Sequence, residues 1–159
     1  AHQRILYDQF IHQIENGKGI SQQLLFPENV TFTSGLADLL KELLPNLNQI
    51  GFDIEVFGKN SFIVRGLPSV SANEDPKALI EGTLFGYESN IEDSHVLRNE
   101  ALASALAFKS AIKTGQTLSQ EEINALIDEL FASENPMTLP NGKNIFHKLP
   151  IDDIENYFN

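Results

Sequence analysis

The run Phe52-Asp53-Ile54-Glu55-Val56 alternates apolar and polar side chains, Gly58-Lys59-Asn60 supplies a turn, and Ser61-Phe62-Ile63-Val64-Arg65 returns. Such a pattern is the signature of an antiparallel β-hairpin, because successive side chains on a strand point to opposite faces. No other segment constrains its backbone as tightly. The hairpin sits between segments whose apolar residues recur with helical spacing, so the chain combines several helices with a small amount of sheet.

Ahead of the hairpin, Ile5, Leu6, Tyr7, Phe10, Ile11 and Ile14 form an amphipathic stripe that stops at Gly17 and Gly19. Residues 22–32 read as extended, with Val30, Thr31 and Phe32 favouring a strand and Pro27 placing it at an edge or a bulge. Ser34 is a suitable N-cap for the face Leu36, Leu39, Leu40, Leu43 and Leu44, which Pro45 is expected to break. After the loop 66–75, Asp75-Pro76 supplies a cap and a first helical proline ahead of Leu79, Ile80, Thr83, Leu84 and Tyr87. Asn90 to Ser94 is polar and acidic and reads as a linker. An alanine-rich helix is expected from Leu97 to Lys113, its small residues permitting close approach by a neighbour. Ser119 and Glu122 form a capping box opening a helix with Ile123, Leu126, Ile127, Leu130 and Phe131, the strongest amphipathic signal in the chain. A turn-rich loop from Pro136 to Lys143 precedes a short final helix carrying Ile151, Ile154, Tyr157 and Phe158.

The net charge of −11, from 22 acidic against 11 basic residues, disfavours self-sufficient nucleic-acid binding, which draws its affinity from Lys and Arg displacing counterions. No apolar run approaches the roughly 20 residues that span a bilayer. No leader peptide is expected, because the first residues already carry the helical pattern. With no cysteine the chain has neither disulfides nor thiolate metal sites, which fits the cytoplasm. His2, His12, His95 and His147 show no ligand spacing, and the Gly-Lys pairs at Gly58-Lys59 and Gly142-Lys143 read as ordinary turns. Glu92-Asp93 and Asp152-Asp153 read as solvated linker and helix-start charges.

Several blocks together resemble the C-terminal dimerisation domain of MutL, the DNA mismatch-repair protein. Ala1 to Asp8 is similar to the second half of the family's D-Q-H-A-A-H-E-R-I-L-Y-E block, and Gln22 to Pro27 matches its Q-x-x-[LI]-x-P motif. Gly51 to Gly58, followed by Phe62 to Pro68, resembles its G-F-x-I-E-x-F-G hairpin. Ala107 to Lys113 resembles its A-C-R-A-A-I-K helix, and Leu130 to Lys143 the region around its C-P-H-G-R-P block. The resemblance implies an α+β fold in two lobes: a discontinuous dimerisation lobe of residues 1–21 and 100–159, and an external, regulatory lobe of residues 22–99. The strands that normally precede the first helix are not in this sequence, so the dimerisation sheet is expected to look incomplete.

Many MutL homologues nick DNA at a metal site, and on the family pattern this chain departs from it nearly everywhere. Gln3 stands for the first motif glutamate and Asp8 for the second; Phe108 stands for the helix cysteine. Leu139 and Asn141 replace the cysteine and histidine of the last motif, and Lys143 its arginine. The expectation is therefore no catalytic residue, no metal and no cofactor in this domain, with an ATPase in the N-terminal part of the full-length protein. The alternative is a metal-dependent nicking endonuclease with non-standard ligands such as Asp8 and His2.

In the family, the Gln22, Leu25 and Pro27 positions dock on the replicative sliding clamp, a glutamine hydrogen-bonding at one end of a groove while apolar anchors fill a pocket. The same run would also suit a buried strand, Leu24 and Phe26 facing one way and Leu25 the other. The implied role is an adaptor: a homodimer contacting the clamp and other repair proteins such as MutS, with little DNA binding and no membrane association, cytoplasmic and nucleoid-associated during repair. A third reading is a domain that binds some other protein.

Overall fold

A computed structural model describes residues 1–91, 97–156 and 158. The elements run α1 (His2–Asn16), β1 (Ser21–Thr31), α2 (Ser34–Ile50), β2 (Asp53–Val56), β3 (Ser61–Pro68), a 3-10 turn (Ser69–Ser71), α3 (Pro76–Ile91), α4 (Arg98–Ser110), α5 (Gln120–Ala132) and α6 (Ile151–Asn156). Helices around a small antiparallel sheet make this an α+β fold. The expected hairpin is β2–β3, and β1 pairs antiparallel with the other side of β3, giving the order β1-β3-β2. The central strand buries Phe62, Val64 and Leu67, and Phe32 meets the Phe62 ring edge-on at 5.8 Å.

Local chemistry sets most boundaries. α1 ends on Gly17, whose φ of 62° is the left-handed conformation that closes a helix. The Asp75 carboxylate accepts the Ala78 N–H at 2.8 Å ahead of Pro76, the cap expected for α3. At α5, Ser119 Oγ accepts from Glu122 N–H at 3.2 Å, while Glu122 Oε2 accepts from Ser119 N–H at 2.7 Å.

Three expectations are corrected. α2 runs unbroken through Pro45 to Ile50, because Leu40, Leu43, Leu47 and Ile50 are all buried and packing on both sides of the proline outweighs the one backbone bond it cannot make. α4 stops at Ser110 rather than Lys113; Ala111 is extended, and Lys113 Nζ folds back to the terminal carbonyls of Phe108 and Lys109. Asn90, expected in a linker, belongs to α3, and its Nδ2 donates to the Ala101 carbonyl at 3.2 Å. The remainder of that linker with Glu92-Asp93, together with His95 and Tyr157, lies outside the described residues.

One buried cluster joins Leu6, Phe10 and Ile14 of α1 with Ala101 to Ala107 of α4, the apolar face of α2, the sheet and α3. α3 and α4 are the most closely packed helices: a Cβ at Gly86 would come within 2.9 Å of Ala105 Cβ, so the small residues there permit the close approach read from the sequence. α5 leans on α1, and Leu130 is its one buried side chain. Among the described residues no helix is long and apolar enough to cross a membrane.

Candidate functional site

Two regions gather the residues singled out above. The first is an open cleft of about 1120 Å³ between one face of α1, the start of α4 and the loop after α5. Residues spaced by a helical turn on α1 (Arg4, Asp8, Ile11 and Glu15) line one wall, and Glu134, Leu139 and Asn141 line another. The loop is shaped by a turn in which Leu139 N–H donates to the Lys143 carbonyl at 2.8 Å and Gly142, with φ of 79°, donates back to Leu139.

Asp8 is held in a two-pronged pair by Arg4: Nη2 lies 2.8 Å from Oδ1, and Nε donates to Oδ2 at 3.2 Å. Arg4 is only 8% exposed and its guanidinium lies over the Tyr7 ring at 5.4 Å. Burial pushes the Asp8 carboxyl above its ordinary range and the Arg4 charge opposes that shift. Across the cleft His12 Nε2 approaches Glu134 Oε1 at 3.7 Å, tying α1 to the loop. Among the described residues no three of His, Asp or Glu converge as a metal-binding group.

The second region is the start of β1. Its ladder with β3 is regular from Ser21 to Gln23 and resumes at Glu28, with a register shift between. Within that bulge Leu25 is 95% and Phe26 83% exposed, whereas Leu24 is half-buried and packs against the core. This corrects the buried-strand alternative for Leu25 and Phe26, whose side chains stay outside the core, and leaves Leu24 as the inward-facing residue of the run. The bulge is anchored where Gln23 Nε2 donates to Asp53 Oδ2 at 3.3 Å.

The family model described as the MutL C terminal dimerisation domain matches residues 1–118. The chain belongs to this MutL family. Similar proteins include the DNA mismatch repair proteins MutL of Halothermothrix orenii, 37% identical over 97% of this chain and 24% of that protein, and of Parabacteroides distasonis, 37% identical over 99% of this chain and 26% of that protein. MutL of Chlorobium chlorochromatii is 32% identical over 99% of this chain and 24% of its own length. The chain thus spans about a quarter of the curated relatives it matches.

Of the six positions that the resemblance sets against the family's endonuclease motifs, Asp8, Leu139 and Asn141 line the cleft, whereas Gln3, Phe108 and Lys143 do not. Phe108 is 63% exposed, with Lys113 Nζ 5.9 Å above its ring. Lys143 sits in the turn, its N–H donating to Asn141 Oδ1 at 3.2 Å. His2 Nδ1 accepts the Ile112 N–H at 3.0 Å and so ties α1 to the end of α4. The sequence reading missed the Arg4–Asp8 clamp, although the i, i+4 spacing of opposite charges was its signal. The His12–Glu134 tie had no sequence signal, because the two residues lie at opposite ends of the chain.

Proposed function

We propose that this chain is the homodimerising adaptor domain of a mismatch-repair MutL protein and does not itself nick DNA. The observation that carries the second half is the donor set of the cleft. A nicking metal centre needs carboxylate, imidazole or thiolate ligands converging on one ion. At the matching positions this cleft offers leucine and asparagine, and one carboxylate whose oxygens both face Arg4. Those residues do not fit a divalent metal. A dimerising part joined to an ATPase elsewhere in the full-length protein, contacting MutS and the sliding clamp in the cytoplasm, accords with the family assignment. So does a division into a dimerisation lobe of residues 1–21 and 100–159 and an external lobe of residues 22–99, although the buried cluster draws on both ranges.

The test is manganese-dependent nicking of supercoiled plasmid by the full-length protein and its Asp8→Ala variant. Neither is expected to nick. Nicking by the parent that disappears with Asp8→Ala would establish the alternative, an endonuclease with non-standard ligands.

A specific observation favours the sliding clamp as a partner. Leu25 and Phe26 are the most outward-facing large apolar residues of the sheet, and they lie within Gln22 to Pro27. Exposed apolar anchors on an extended segment suit docking into a groove. Pull-down of the clamp is expected to be lost with Gln22→Ala or Leu25→Ala; retention by both variants would remove the clamp from the proposal.

A further inference from the structure

Asparagine is followed by glycine twice in this chain, at Asn16-Gly17 and Asn141-Gly142, and lysine comes next both times. The step is chemically fragile. The glycine backbone nitrogen can attack the carbonyl carbon of the asparagine side chain, and a glycine has no Cβ to crowd the approach. On the glycine side the fold treats the two copies alike. Gly17 and Gly142 have φ of 62° and 79°, with open space where a Cβ would lie. Each donates its N–H to an earlier carbonyl, Gly17 to Gln13 at 2.7 Å and Gly142 to Leu139 at 2.9 Å. Both asparagines are exposed.

The two carboxamides differ. Asn16 is the last residue of α1, and its Nδ2 donates to the His12 carbonyl at 2.8 Å, one turn back along the helix. That bond draws Cγ away from Gly17, and the helical backbone holds it there. Asn141 lies in the turn after α5, and its Oδ1 accepts the Lys143 N–H at 3.2 Å. The ring closed by this bond carries both Asn141 Cγ and the Gly142 nitrogen, so the electrophile is drawn toward the nucleophile. The same bond sets an N–H donor on the oxygen that gains negative charge when Gly142 adds to Cγ, which stabilises the addition.

We propose that Asn141 is a site of spontaneous deamidation in the folded chain and that Asn16, in the same tripeptide, is protected. The hydrogen bond from Gly142 to Leu139 opens, and the Gly142 nitrogen gives up its proton to water and bonds to Cγ. The Cγ–Nδ2 bond then breaks, ammonia leaves with a proton returned from water, and a cyclic imide remains. Water opens the imide at either carbonyl, giving aspartate or isoaspartate at position 141. Nothing is oxidised or reduced, and water is the one co-reactant. Asn141 lines the cleft, so the aspartyl product exchanges a neutral amide there for a carboxylate. The isoaspartyl product runs the main chain of that wall through an additional methylene.

Incubating the chain in warm, mildly alkaline buffer, then digesting it and reading each site by mass spectrometry, tests this. Far-UV circular dichroism checks that the fold is kept throughout. The same chain unfolded in guanidinium chloride is the reference, and each folded rate is divided by its unfolded rate. That ratio is expected to be at least about tenfold larger at Asn141 than at Asn16. Asn141→Gln, whose attack requires a larger ring, is expected to abolish conversion at that position and leave Asn16 as it was. A smaller difference between the two sites overturns the proposal. So does an unmodified Asn141 in the folded chain under conditions in which the unfolded chain forms aspartate and isoaspartate there.

Discussion

Replacing Gly51 with alanine should be among the most damaging small substitutions in this chain. Gly51 follows α2 with φ of 110°, a backbone conformation beyond the left-handed well that a residue with a Cβ tolerates. An added Cβ would sit 2.6 Å from the Ile20 carbonyl oxygen and 2.9 Å from its carbon, well inside van der Waals contact. That oxygen accepts the Ser69 N–H at 3.0 Å, so moving it aside loosens the link between the start of β1 and the end of β3. Gly19, on the same crossing, donates its N–H to the Gln49 carbonyl at 2.8 Å. The backbone strain costs about 1–3 kcal/mol and the overlap adds roughly 1–3 kcal/mol, so a loss of about 2–6 kcal/mol is expected. For a chain of this length that lowers the melting temperature by roughly 4–24 °C. Two other glycines separate the terms. Gly17 has φ of 62° and open space where its Cβ would lie, so Gly17→Ala shows strain alone, about 1–2 kcal/mol. Gly35, in the first turn of α2, has open space and no positive φ, so Gly35→Ala should be neutral or stabilise by up to about 1 kcal/mol. Urea unfolding followed by far-UV circular dichroism, with equal slopes for all variants, gives the series. If Gly51→Ala lies within about 1 kcal/mol of Gly17→Ala, the crossing is not tight and the reasoning fails.

Replacing both Leu25 and Phe26 with serine should leave stability within about 0.5 kcal/mol of the parent, since neither side chain is buried; a larger loss in the urea midpoint would show that the bulge packs on the fold. Burial lowers the His2 imidazole below its ordinary value of 6.5, with Glu129 opposing, so the folded chain binds fewer protons at that site than the unfolded one. The resulting stability is complete above that value and lost as pH falls through it. The drop in urea midpoint from about pH 7.5 to about pH 5.5 should therefore be smaller in His2→Asn, which keeps an acceptor for Ile112 but does not titrate. An equal drop in both would clear His2 of the effect. Ser119→Ala removes the acceptor of the Glu122 N–H and should destabilise α5 by about 1 kcal/mol, seen as faster amide exchange at its first turn; unchanged exchange there would mean the box contributes nothing.

What could be read from the sequence was chemistry contained within a few residues. The stop at Gly17, the Asp75 cap and the Ser119–Glu122 box each depend on side chains next to the backbone groups they satisfy, so their signals are local. Pro45 misled because the residues that hold α2 together across it, Leu40, Leu43 and Leu47, act through burial against other elements. The outward turn of Leu25 and Phe26 was likewise invisible, because alternation alone does not show that the ladder shifts register between Gln23 and Glu28. The cleft was half legible. Asp8, Leu139 and Asn141 were singled out one at a time, but their meeting depends on how the loop after α5 folds back on α1.

The two candidate regions differ in what a partner would find there. At position 8 a glutamate could give one oxygen to Arg4 and extend the other into the cleft. Aspartate is one methylene shorter and lies drawn back along its own helix, with Arg4 bonded to both oxygens. Freeing it for a cation would leave the guanidinium of Arg4, itself buried, without its counter-charge, and stranding a buried charge costs several kcal/mol. Leu139 on the facing loop offers no ligand, and among the described residues Glu134 and His12 do not converge with Asp8 as a metal-binding group. The bulge presents the reverse situation. Leu25 and Phe26 are already desolvation-ready surface with no internal contact to break, and the flanking pairs from Ser21 to Gln23 and from Glu28 to Thr31 hold the segment extended. Binding there requires no rearrangement of the core. That contrast accords with the proposed recognition at the sheet edge.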